Sequence, residues 1–94
     1  MVAEEMVEVE EGLGTVGRIR ILRELARGRG RMLSKYALAK ATGLKRADVD
    51  RNLKHLVKIG WVKECEGTHL RYQINMENSK VMHLIEFFRK TGYI

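Results

Sequence analysis

The sequence predicts a mostly helical α+β fold with a three-helix core, a two-stranded β-hairpin and an extra C-terminal helix. Three observations support this prediction. Apolar residues recur at helical spacing in several segments, two short runs alternate apolar and polar side chains, and glycines stand where these segments end. The length of 94 residues corresponds to one domain.

Residues 1–12 are predicted to form an acidic N-terminal arm. Residues 1–11 contain five glutamates and no cation. Their apolar residues recur at helical spacing, whereas "VEVE" alternates as a strand does, and several glycines follow. We therefore expect an arm that is mobile or conditionally helical, and we hypothesise that it folds over the basic face of the domain.

The first core helix is predicted over residues 16–27, with Thr15 as its N-cap. Gly28 is placed for a left-handed C-cap. Arginines alternate with glycines in the loop that follows, and "RML" can form a short strand. The residues predicted to face the core are Val16, Ile19, Leu22, Leu25 and Ala26.

Two further core helices are predicted to meet at a glycine corner. Ser34 can cap a helix over residues 35–42, and Gly43 supplies the small residue that a steep junction between two helices needs. The third helix runs from about 46 to 59 and ends at Gly60. At about 100° per residue, one arc of it holds Val49, Leu53 and Leu56, and the opposite arc holds Ala47, Arg51, Lys54 and Lys58.

The runs "WVKEC" and "HLRYQI", joined by "EGT", predict a hairpin with a tight turn at Gly67. Val62, Leu70, Tyr72 and Ile74 are expected to face inward. Trp61, at the corner between helix and hairpin, is predicted to be a packing residue.

A last helix is predicted over about 77–91. Its apolar stripe is wider than one core needs. It therefore either covers its own domain or forms an interface with a second copy. The predicted interface residues are Val81, Met82, Leu84, Ile85, Phe87 and Phe88.

The order of these elements resembles the winged helix-turn-helix of ArsR/MarR-like prokaryotic transcription regulators. "TVGRIRILRELARG" is similar to the first helix of the arsenical-repressor-like group, "LAKATGL" to the second helix and turn, "ADVDRNLKHLVKIGWV" to the recognition helix, and "GTHLRYQI" to the returning wing strand. The resemblance covers residues 13–76 and implies that residues 77–94 form a dimerisation element. Lys45 departs from the serine that relatives often carry there.

Charge and helix pattern together predict binding to double-stranded DNA. Residues 12–94 contain 18 cations and seven acids, which gives a net charge of +11. A charge of this size fits nucleic-acid binding and ordinary solubility equally well. The third helix can enter a major groove. Its predicted base-reading residues are Arg46, Ala47, Asp50, Arg51 and Lys54. The predicted phosphate contacts are Arg27, Arg29, Arg31, Lys40, Lys45, Lys58 and Arg71.

The carboxylates near this helix leave alternatives open. Asp48 and Asp50 can pair with Arg51 and Lys54 and orient them, or Asp50 can accept a hydrogen bond from cytosine. Glu64 and Glu66 stand at the wing tip, where DNA-gripping wings are usually basic. The rival interpretation is therefore a winged helix that binds other proteins within a larger assembly.

Other classes of protein are not favoured. No apolar run is long enough for a membrane span, and no secretory signal is recognisable, so we expect a cytoplasmic protein. With one cysteine, Cys65, and no nucleophile or phosphate-loop motif, we expect neither an enzyme nor a metal or other cofactor site. The 32% share of charged residues, with a single glutamine and no proline, is interpreted as a hint of heat tolerance.

Overall fold

The computed structural model describes residues 3–94, with side chains described from Glu8 onward. Five helices and one antiparallel hairpin confirm the predicted mostly helical α+β fold. The elements are α1 (Ala3–Leu13), α2 (Val16–Arg27), α3 (Lys35–Thr42), α4 (Arg46–Lys58), β1 (Val62–Cys65), β2 (Arg71–Ile74) and α5 (Ser79–Lys90). Every described helix is too short or too polar to cross a bilayer.

Side-chain caps explain where the helices begin. The Thr15 hydroxyl accepts a hydrogen bond from the Arg18 amide at 3.0 Å, and the Ser34 hydroxyl accepts one from the Ala37 amide at 3.1 Å. The Asn78 side chain caps α5 in the same way. Each cap satisfies an amide that the first helical turn leaves without a partner.

The end of α2 differs from the prediction. Gly28 has a right-handed φ of −72°, and the chain becomes left-handed only at Arg29 and Gly30, with φ of 52° and 85°. The amides of Gly28 and Arg29 donate to the carbonyls of Glu24 and Ala26. The helical hydrogen bonding thus continues past Gly28, so the left-handed turn comes one residue later than predicted.

The core lies between α2, α3, α4, the hairpin and α5. Its fully buried residues include Ile21, Leu22, Leu25, Leu38, Val49, Leu56 and Val81. Two expectations for α2 are corrected: Ile21 is completely buried, whereas Val16 is 64% exposed. α2 packs against α3, α4 and β2, so a broad arc of its surface is buried. Val16 is the first residue of α2 and lies outside that arc.

A single residue in the loop before α3, Leu33, forms an isolated β-bridge with the hairpin. β1 and β2 pair from Val62 with Ile74 to Cys65 with Arg71. Leu33 exchanges two backbone hydrogen bonds of 2.8 Å with Tyr72, so the predicted strand before α3 is reduced to one bridge. Leu70 is 40% exposed, contrary to expectation, because it precedes β2 and no layer covers it.

α1 is docked on the domain, where it packs against α2 and α4. A Cβ added to Gly12 would lie 2.2 Å from the Trp61 ring, so the helix backbone touches the indole. The structure therefore places a helix over most of the predicted acidic arm. Met1 and Val2 lie outside the described residues, and the mobility of the arm stays a prediction.

Candidate nucleic-acid interface

α4 presents opposite faces to the core and to solvent. Val49, Leu53 and Leu56 are buried, and with Asn52 they form the inner face. The exposed residues, which we call the outward row, are Arg46, Ala47, Arg51, Lys54 and Lys58. This division follows from apolar residues spaced three or four apart in a helix.

The first turn of α4 lacks a side-chain cap. Lys45 makes no capping hydrogen bond, because its side chain has no oxygen that could accept one from the helix amides. Asp48 stands in this turn, where the positive end of the helix dipole favours an anion. Its carboxylate also pairs with Arg51, as the i, i+3 spacing predicted. One carboxylate therefore supports the start of the helix and orients a cation of the outward row.

Asp50 is held by cations from two helices. Its Oδ2 lies 3.4 Å from the Lys54 Nζ, which is the predicted i, i+4 pair. Its Oδ1 accepts a hydrogen bond of 2.5 Å from the Lys35 Nζ at the start of α3. The hydrogen bond from Lys35 is the main reason why the pKa of Asp50 lies below its ordinary value. The pKa of Lys35 is raised by the same hydrogen bond.

Lys35 also contacts the hairpin. Its Nζ lies 5.9 Å from the centroid of the Tyr72 ring, within reach of a cation–π interaction. The buried Tyr72 hydroxyl donates a hydrogen bond of 3.3 Å to Glu64. Burial raises the pKa of Tyr72. A cleft of about 290 Å³ separates α4 from the hairpin, and Lys35, Asp50 and Tyr72 line it.

The predicted phosphate contacts fall into two groups. The first group is exposed to solvent on or beside the helix-turn-helix and the hairpin. It consists of Lys40 on α3, Lys45 just before α4, Lys58 at the end of α4 and Arg71 on β2. Arg27 and Arg29 instead line a cleft of about 380 Å³ with Arg89 of α5. Arg31 is exposed in the same loop, whose Gly30 carbonyl accepts a hydrogen bond from Gln73. The structure therefore groups Arg27 and Arg29 with the end of α5 and not with the outward row.

A polar junction that the sequence did not reveal joins α4 to α1 and α2. Asn52, buried on α4, accepts a hydrogen bond of 3.0 Å from the Arg18 Nε. The Glu11 carboxylate lies 3.1 Å from His55 Nδ1 and 3.6 Å from Arg18. No local spacing signals these contacts, since their partners lie on separate helices.

Two carboxylates of the arm, those of Glu8 and Glu11, form ion pairs with residues outside the outward row. Glu11 pairs at the polar junction, and Glu8 pairs with Lys80 at 3.3 Å and accepts a hydrogen bond from Trp61. Hydrogen bonding from Trp61 is the main cause that lowers the pKa of Glu8. Glu8 and Glu11 thus pair with cations outside the outward row, and the hypothesis that the arm folds over the basic face stays a prediction. The side chains of Glu4 and Glu5 lie outside the described residues.

An apolar groove of about 640 Å³ runs between the α1–α2 corner and α5. Val16 and Phe87 on its walls are 64% and 60% exposed, and Leu13 extends it. The predicted interface on α5 is corrected in part. Val81, Ile85 and Phe88 are buried in the chain's own core, whereas Met82 and Phe87 are exposed and Leu84 is half-buried.

Among side chains from Glu8 onward, no group of three or more His, Cys, Asp or Glu residues could hold a metal ion. Cys65 is half-buried in β1. The expectation that the protein uses no metal stays a prediction.

A buried three-helix core, a solvent-facing cationic helix after a glycine turn and a two-stranded hairpin define a winged helix-turn-helix domain. Solved structures share this architecture. HlyU from Vibrio cholerae is 19% identical, with a TM-score of 0.78 and 97% of each chain covered. The transcriptional repressor BigR from Xylella fastidiosa is 17% identical, with a TM-score of 0.76, covering 95% of this chain and 87% of that chain.

A third similar structure is Mb0332 from Mycobacterium bovis, a homodimeric winged helix-turn-helix DNA-binding domain of a possible ArsR-family regulator. It is 27% identical, with a TM-score of 0.73, covering 95% of this chain and 79% of that chain. No family model and no curated protein sequence matches. The predicted resemblance is confirmed: the chain is a winged helix-turn-helix domain similar to those of ArsR-family transcriptional regulators.

Proposed function

We propose that this protein binds duplex DNA sequence-specifically as a homodimeric transcription regulator, with α4 in the major groove. The observation that carries the proposal is the outward row. Its four cations face solvent on a helix whose opposite face is buried. A B-DNA major groove is about 12 Å wide and admits such a helix.

The residues of the outward row suit distinct tasks. Arginine can donate two hydrogen bonds to a guanine edge, so Arg46 and Arg51 are the strongest candidates for base recognition. Ala47 leaves room for the helix to approach the bases. Lys54 adds a cation farther along the same face. We assign phosphate contacts to Lys58 at the end of α4 and to the exposed Lys40, Lys45 and Arg71 around it, because phosphate contacts fix register without reading sequence.

The apolar groove supports a homodimer. A monomer rarely leaves side chains such as Phe87 and Val16 exposed side by side, and a second copy would cover them. Two-fold symmetry would present two copies of α4 to half-sites about 34 Å apart. We place this activity in the cytoplasm, and it requires no enzymatic chemistry.

The test is a selection from random duplexes with the full-length chain. The proposal expects enrichment of one motif with two related half-sites, and R51A/K54A should lose that enrichment while remaining folded. No enriched motif in the wild-type protein would contradict specific recognition.

The second candidate function is a protein-binding winged helix. The exposed carboxylates Glu64 and Glu66 at the wing tip favour it, because they would repel a phosphate backbone. This function predicts weak duplex binding without sequence preference, so the same selection separates the two.

A further inference from the structure

The Asp50 carboxylate is turned toward a neighbouring helix. One oxygen is engaged by Lys35 and the other by Lys54, at 2.5 Å and 3.4 Å. Asp50 lines the cleft between α4 and the hairpin. An acceptor for a cytosine amino group must instead point along the outward side of the helix. Both oxygens of Asp50 are thus engaged by lysines of the same chain.

Lys35 connects this carboxylate to the wing. Leu33, two residues earlier, is tied to Tyr72 by a pair of backbone hydrogen bonds. The Lys35 ammonium then lies over the Tyr72 ring, whose hydroxyl donates to Glu64 on β1. A continuous set of contacts thus runs from α4 through the start of α3 to both strands of the hairpin.

The geometry of these contacts matters for DNA because α4 and the hairpin must fit one duplex together. If the hairpin shifted relative to α4, the two elements could no longer make the same DNA contacts simultaneously. Lys54, a member of the outward row, is also oriented by Asp50. The Lys35–Asp50 pair therefore affects both the placement of the hairpin relative to α4 and the orientation of Lys54.

We propose that Lys35 and Asp50 are positioning residues that fix α4 relative to the hairpin, and that base discrimination depends on this pair without a contact from Asp50 to a base. The inference rests on the proposed DNA-binding function. It assigns to Lys35, a residue outside the outward row, a part in sequence specificity.

The two single substitutions change the charge of the protein in opposite directions. K35M removes a cation and D50N removes an anion, so simple electrostatics predicts opposite effects on affinity for any duplex. The positioning role instead predicts the same effect for both substitutions. Each should lower the ratio of the affinity for the selected duplex to the affinity for a scrambled duplex by about tenfold. The double variant K35M/D50N should lose less than the two single losses combined, since each single variant already removes the Lys35–Asp50 contact.

E86Q is the matched control. Like Asp50, Glu86 pairs with a lysine four residues later on its own helix, at 3.1 Å from Lys90, but it lies on α5 away from α4 and the hairpin. E86Q should change the affinity ratio by less than about threefold. If K35M leaves the ratio unchanged while D50N alters preference at one base position, Asp50 reads a base and the positioning role is overturned.

Amide hydrogen exchange without DNA gives a second readout. The positioning role expects faster exchange in β1 and β2 of both K35M and D50N than in the wild type and E86Q. Unchanged exchange in both variants would overturn it. If the wild type selects no duplex, the proposed function fails and the claim about discrimination fails with it, while the exchange result still decides whether the pair fixes the hairpin.

Discussion

Trp61 Nε1 donates a hydrogen bond of 2.7 Å to the Glu8 carboxylate, which joins α1 to the corner between α4 and the hairpin. Trp61 is only 2% exposed, and the backbone of α1 at Gly12 lies against its ring. α1 is therefore packed against the rest of the domain at Glu8 and Gly12.

Removing the acceptor at Glu8 should destabilise the protein. Glu8→Ala leaves the buried indole N–H without its partner, at a cost of about 1–3 kcal/mol in the free energy of unfolding. Glu8→Gln keeps an acceptor oxygen and loses only the charge opposite Lys80, so its cost should be smaller. Urea denaturation followed by Trp61 fluorescence measures both. Equal losses in the two variants would show that the hydrogen bond contributes nothing.

Gly12→Ala should displace α1 from Trp61. The added Cβ would lie 2.2–2.6 Å from three ring carbons of a buried side chain, so either the helix or the indole must move. Such overpacking costs about 1–3 kcal/mol and should shift Trp61 emission to longer wavelength. Gly67→Ala is the control, since the nearest atom to its added Cβ is 4.0 Å away. An unchanged emission spectrum and stability in Gly12→Ala would contradict the close packing.

The acid titration of Asp50 should depend mainly on Lys35. Its lowered folded-state pKa means that the stabilisation is present above the ordinary value of 3.8 and is lost as pH falls through the folded pKa. In K35M the pKa of Asp50 should rise toward 3.8, and in K54M it should rise less, because the Lys35 hydrogen bond is the larger cause. Carboxyl NMR from pH 2 to 6 measures this. A larger rise in K54M would reverse the assignment.

A charge in the apolar groove should dissociate the proposed homodimer. Phe87→Glu places a carboxylate on a side chain that is 60% exposed in the single chain, so the fold should persist. Loss of an apolar anchor of this kind corresponds to an increase in the dimer Kd of about 30-fold or more. Sedimentation equilibrium measures it. Met76→Glu, at a 42% exposed residue outside the groove, is the control and should leave the Kd unchanged.

Local sequence signals predicted the helices well and the contacts between them poorly. Thr15 and Ser34 cap the helices that they were expected to cap, because a cap acts within three residues. The choice between Val16 and Ile21 on α2 depends on which neighbours cover the helix. That information is absent from the spacing of the helix itself.

The candidate site shows the same division. The pairs Asp48–Arg51 and Asp50–Lys54 follow from helical spacing and were predicted. Lys35 and Asp50 are 15 residues apart on different helices, and Trp61 and Glu8 are 53 residues apart. Such contacts arise only when the helices are assembled, so no periodicity could reveal them.

The most direct measurement is the salt dependence of duplex binding by wild type, K54A and K90A. Both lysines are exposed, at 78% and 74%, and both pair with a carboxylate four residues earlier, at 3.4 and 3.1 Å. Only Lys54 lies in the outward row. Log K for the wild type should fall linearly with log salt, and K54A should reduce that slope by up to about 0.9 while K90A leaves it unchanged. A slope that is flat in the wild type, or equally altered by both substitutions, would contradict DNA binding through α4.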